Sequence, residues 1–90
     1  MAKATFVPAV GRAKNVLPKD GKTFSLDELQ KFVDGYIEIL FIGNKAVVVN
    51  DDGWQRNLPV NQVATKMYRN NGGASAIVGN VLVCDKNMIE

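Results

Sequence analysis

The sequence predicts an α+β domain, a small antiparallel or mixed sheet with two helices packed on it, in the order β(β)αββαβ. Three observations carry this prediction. Ser25 and Glu28 have the spacing of a helix capping box. Two β-rich runs within residues 36–50 flank Gly43-Asn44, and Val60, Val63, Ala64, Met67 and Tyr68 recur at helical spacing ahead of an apolar run at 77–84.

Thr5, Phe6 and Val7 form a short extended run, and Ala13, Val16 and Leu17 supply a second one across a bend at Gly11. Pro8 lacks a backbone donor, so it belongs where the first strand ends or at a sheet edge. Pro18, Asp20 and Gly21 read as a turn. The first helix is expected from Leu26 to Asp34. Ser25 caps it, Phe24 and Leu29 take the positions of a hydrophobic staple, and Asp27 and Glu28 favour its positive end. Leu26, Leu29, Phe32 and Val33 make its apolar stripe, and Gly35 is expected to stop it in the left-handed conformation.

Tyr36 to Phe41 and Lys45 to Asn50 then form a hairpin about Gly43-Asn44. Neither strand alternates cleanly, which implies cover on both faces. Two helices on a chain this short are expected to cover one face well, leaving the other to a second subunit. Asp51-Asp52-Gly53 is a turn, after which Trp54-Gln55-Arg56-Asn57 would extend the sheet until Leu58-Pro59. The second helix covers residues 60–69, capped by Asn57 or Asn61 with Pro59 in its first turn, and Asn70 to Gly73 break it. The closing strand, 77–84, is apolar enough to lie centrally, and Gly79 within it marks a bulge or a close backbone approach.

With 90 residues, 47% of them hydrophobic, the chain has room for one small domain whose stability would gain from self-association. Its apolar runs are too short to cross a bilayer and no signal peptide is recognisable, so a cytoplasmic protein with no membrane contact is expected. One Cys and no His exclude an internal disulfide framework, a zinc finger and a His-based triad. The formal charge of +2 is unevenly spread: residues 1–22 hold Lys3, Arg12, Lys14, Lys19 and Lys22 against Asp20 alone, and the remainder is net acidic.

The steps Phe24 to Gly35 followed by Tyr36-Ile37-Glu38-Ile39, then Asn50-Asp51-Asp52-Gly53, Leu58 to Thr65, and Ile77 to Val83 together resemble a small family of unknown function whose members occur in bacteriophages, plasmids and the genomes that carry them. The resemblance covers about the last three-quarters of the chain. It implies no activity, and Gly35, Tyr36, Glu38, Asn50, Gly53, Asn61, Gly79 and Asn80 are family-like positions only.

The candidate chemistry is sparse. Glu38, with Asp51 or Asp52, is the one polar pair that an enzyme could use, and Glu38 is read either as a buried acid or as a solvent-facing residue. Adjacent acids before Gly53 are ordinary turn chemistry, so no metal is expected. Cys84 is expected to be a packed thiol, and the glycines make no phosphate loop, so no cofactor is expected either. The surface of most interest combines Trp54, Arg56, Asn61, Lys66 and Arg69. Trp54 either packs in the core over the second helix or, if exposed, anchors a protein partner.

These readings lead to a non-enzymatic accessory or regulatory protein of a phage or mobile element that binds another protein, with a host factor as a candidate partner and a homodimer as its own state. The alternative is a nucleic-acid-binding module using residues 1–22 with Arg56, Lys66 and Arg69.

Overall fold

A computed structural model describes residues 4–89. Lys3, part of the basic N-terminal segment, lies outside the described residues. The order of elements is β1 (Ala4–Val7), β2 (Lys14–Val16), α1 (Leu26–Val33), β3 (Ile37–Ile42), β4 (Lys45–Asn50), α2 (Gln62–Asn70) and β5 (Val81–Asp85). The five strands form one sheet in the order β2-β1-β5-β4-β3, with every neighbouring pair antiparallel, so β5 is central as its apolar sequence implied. Pro8 follows the last residue of β1, where its missing donor leaves no ladder bond unmade.

The α1 cap forms as the sequence dictates. Ser25 Oγ accepts from the Glu28 N–H at 3.2 Å, and the Glu28 carboxylate accepts from the Ser25 N–H at 3.0 Å. Phe24 and Leu29 are both buried in the core below it. At the other end it is Asp34, at φ 60°, that takes the left-handed position expected of Gly35, and Gly35 follows at φ 156°. In the β3–β4 hairpin, Gly43 at φ 57° opens a two-residue turn and relieves the strain that a side chain would meet there.

The two helices lie on opposite faces of the sheet. The first core joins Leu29 and Val33 of α1 to Ala4, Ala46, Val48, Leu82 and Cys84, with Phe24 and Met88. The second joins Ala64 of α2 and Ile77 to Val7, Val47, Val49 and Val81. Successive strand residues therefore feed alternate cores, and the unbroken apolar runs in β4 and β5 follow from burial on both sides. This corrects the expectation that one face would be left for a second subunit.

Three further expectations fail locally. Trp54 to Asn57 is not strand: Gly53 N–H bonds to the Asn50 carbonyl, Arg56 N–H to that of Asp52, and Leu58 N–H to that of Gly53, winding residues 51–57 into consecutive turns that end with Asn57 at φ 55°. Residues 77–80 are not part of β5, because the Gly79 N–H bonds to the Pro59 carbonyl and Val78 pairs with Val60 as an isolated bridge. Helix α2 begins at Gln62 with Asn61 as its cap, so Pro59 precedes its first turn, and Val60 and Val63 of the expected core stripe are exposed, as is Leu26 in α1.

Candidate functional site

The surface around the 51–57 turn is built on Asn50, the last residue of β4. Its Nδ2 donates to the carbonyls of Val33 (2.9 Å) and Asp34 (3.3 Å), and its Oδ1 accepts from the Asp52 N–H (2.8 Å). One buried side chain thus satisfies carbonyls left over at the end of α1 and fixes the start of the turn. Arg56 reinforces the same joint. Its guanidinium donates to the Asp34 carbonyl at 2.6 Å and pairs with the Asp34 carboxylate at 3.4 Å, which places a cation at the negative end of α1. Gly35 sits under both residues: a Cβ there would lie 2.8 Å from Asn50 Nδ2 and 3.1 Å from an Arg56 nitrogen.

The turn held in this way projects Trp54 into solvent. Trp54 is 63% exposed and Tyr36, just before the adjoining strand, is 69% exposed, so the reading of Trp54 as a core residue is overturned. Trp54 borders a shallow cleft of about 100 Å³ with Glu38, Leu40, Asp51, Tyr68 and Ser75. Tyr36 and Arg56 border a separate depression with Asp52, Gln30 and Gly35 on the other side of the turn. Trp54 and Glu38 therefore share a cleft, and Tyr36 does not.

The other residues singled out from the sequence divide into distinct groups. Asn61 is fully buried and cannot touch a partner, which corrects its place in the binding surface. Its Nδ2 donates to the carbonyls of Val7 and Gly79, each at 2.9 Å, and its Oδ1 caps α2 through the Ala64 N–H. It joins strand, loop and helix. Lys66 and Arg69 are exposed on α2, on the face of the sheet opposite α1, so they do not continue the surface of Arg56, whose charge is already matched by Asp34. Glu38 is exposed, the solvent-facing alternative, and borders the cleft with Asp51, whereas Asp52 lies in the other depression. Among the described residues no group of three or more acidic or sulfur side chains is placed to hold a metal ion. Cys84 is enclosed in the first core, and burial pushes its thiol up to about 11, with the Asp85 charge adding to the rise, so it is unreactive near neutral pH.

Thr65, which nothing in the sequence singles out, and the family-like positions Gly79 and Asn80 complete the scaffold. Thr65 Oγ1 accepts from the Ile77 N–H at 2.9 Å and donates to its carbonyl at 3.2 Å, clamping the chain after α2. Asn80 Oδ1 accepts from the Ala9 N–H. Gly79, at φ 80°, would place a Cβ 2.8 Å from Leu58 Cδ1, so the close approach expected there is real and is made by a side chain.

The matching family profile is described as a domain of unknown function (DUF3846), and it covers residues 12–89. The chain belongs to that family. No curated protein and no solved structure matches. Within the DUF3846 domain, Gly35, Asn50, Gly53, Asn61, Gly79 and Asn80 all have structural work: they bond to backbone, adopt turns or leave room for a neighbouring atom. The side chains of Tyr36 and Glu38 take none of these roles and are exposed, although the backbones of both residues bond to the β4 side.

Proposed function

We propose that this DUF3846 domain is a non-enzymatic binding module, an accessory or regulatory protein of a phage or mobile element, and that it grips another protein through the surface around the 51–57 turn. The observation that carries this reading is the exposure of Trp54 and Tyr36 on either side of a turn whose backbone is already fixed by Asn50 and Arg56. Large aromatic side chains and Arg dominate the energetics of protein interfaces, and a surface that is rigid beforehand loses little entropy when it binds. Trp54 and Tyr36 act as anchors. Arg56 retains free donors while its position is set by Asp34.

The test is capture of host proteins on immobilised domain, run in parallel with Trp54→Ala and Tyr36→Ala. The reading predicts a protein retained by the wild type and lost from both variants. Recovery of the same proteins on all three columns would refute it. Titration with single- and double-stranded DNA and RNA at two salt concentrations tests the nucleic-acid alternative, because phosphate contacts must weaken as salt rises. No salt-dependent binding is expected. Arg56 is paired with Asp34, and Lys66 and Arg69 lie on the other face from it, which leaves the basic residues 1–22 as the remaining part of that alternative.

A further inference from the structure

The sheet ends in two unlike edges. On one side β2 is three residues long, carries Lys14 and is followed by Pro18, a combination that discourages further pairing. On the other side β3 is six residues of Ile-Glu-Ile-Leu-Phe-Ile with no proline and one charge. Its outward hydrogen-bonding groups can be assigned. In the β3–β4 register Ile37 pairs with Asn50, and one step earlier the Asp51 N–H donates to the Tyr36 carbonyl at 2.9 Å. Bonded and non-bonded pairs alternate along an antiparallel ladder, so Tyr36, Glu38, Leu40 and Ile42 direct their backbone groups to β4. Those of Ile37, Ile39 and Phe41 point away from it. Among the described residues no other backbone or side-chain group is hydrogen-bonded to them.

This pattern is self-complementary. Two antiparallel copies of β3 related by a two-fold axis through Ile39 would place Ile39 opposite Ile39 and Ile37 opposite Phe41, with each outward N–H meeting a carbonyl. The side chains of Ile37, Ile39 and Phe41 all belong to the α1 face, so the two apolar rows would merge on one side of a continuous sheet. On the other side Glu38 would face Leu40 of the second copy. Shifting the axis to Glu38 would oppose two carboxylates and leave fewer outward groups paired. Phe41 is 62% exposed despite the Lys86 ammonium over its ring, and such a pairing would cover it. We infer that a second copy of this chain occupies the β3 edge, through antiparallel pairing centred on Ile39, to give a homodimer. The purified protein alone tests this inference, so its outcome is independent of the partner-binding reading above.

Sedimentation equilibrium should give twice the 9.8 kDa chain mass, and the exposed-site variant Phe41→Glu should weaken association by at least about tenfold. Under mild oxidation Ile39→Cys should cross-link the dimer. Glu38→Cys, a fold-neutral change at an exposed position, should cross-link far less, and buried Cys84 does not compete. A monomer at concentrations up to about 0.5 mM would overturn the inference. So would a dimer unaffected by Phe41→Glu, or one in which Glu38→Cys cross-links as readily as Ile39→Cys.

Discussion

Asn61 and Trp54 are seven positions apart in the chain, and the fold treats them in opposite ways. Asn61 is completely enclosed, with its amide directed at the backbones of Val7, Gly79 and Ala64, whereas Trp54 leaves 63% of its surface in water. Asn50 and Tyr36 repeat the contrast at the base of the turn. A polar side chain with a buried backbone target builds the scaffold, and a large apolar side chain with no core to enter is free for other contacts. Composition alone would assign the two types of residue the other way round.

Asn61→Ala should produce the largest loss. It leaves the Val7 and Gly79 carbonyls and the Ala64 N–H without their partner in a closed interior, and a destabilisation of about 3 kcal/mol is expected in urea titration. A loss well under about 1 kcal/mol would mean that these groups find other partners. Gly79→Ala comes next, at about 2 kcal/mol, because the residue sits at φ 80° with Leu58 Cδ1 2.8 Å from the added carbon. Pairing it with Leu58→Ala should recover less than the full loss, since the backbone strain remains.

A smaller effect concerns pH. The N–H groups of Ser25 and then Lys19 donate to Glu28 and hold its carboxyl below the ordinary 4.5. The unfolded chain therefore binds the proton first as pH falls. The stabilisation is complete above about pH 5 and is lost as acid protonates the folded carboxylate. Glu28→Gln keeps an acceptor for Ser25, so its stability should fall less steeply than the wild type between about pH 5 and pH 3. Parallel curves would mean that the Glu28 carboxylate does not stabilise α1.

Much of this fold is legible in the sequence wherever local chemistry decides the outcome. The Ser25–Glu28 box, the Gly43 hairpin and the Pro18–Gly21 turn depend on residues within a few positions of one another. What could not be read depends on distant partners. Residues 77–80 look like strand, but the Ile77 N–H bonds to Thr65 and the Gly79 N–H to Pro59, connections that no periodicity encodes. Trp54 to Asn57 has strand-like composition, yet Asn50 and the Asp52 carbonyl wind it into a turn. The placement of α1 and α2 on opposite faces follows from chain routing, with the unbroken apolar runs of β4 and β5 as its one local trace. Of the proposed contact residues, Trp54, Arg56, Lys66 and Arg69 were found at the surface. Asn61 was misplaced because an Asn that caps a helix and an Asn that meets a partner look the same until the neighbouring carbonyls are known.

Trp54 and Tyr36 are proposed to serve recognition and not folding. The most direct measurement is a paired one on the Trp54→Ala/Tyr36→Ala double variant: unfolding free energy by denaturant titration, and retention of the captured partner. Stability within about 0.5 kcal/mol of the wild type, as for other exposed positions, is expected together with loss of the partner. A variant destabilised by several kcal/mol, or one that still holds the partner at wild-type strength, would contradict that proposal.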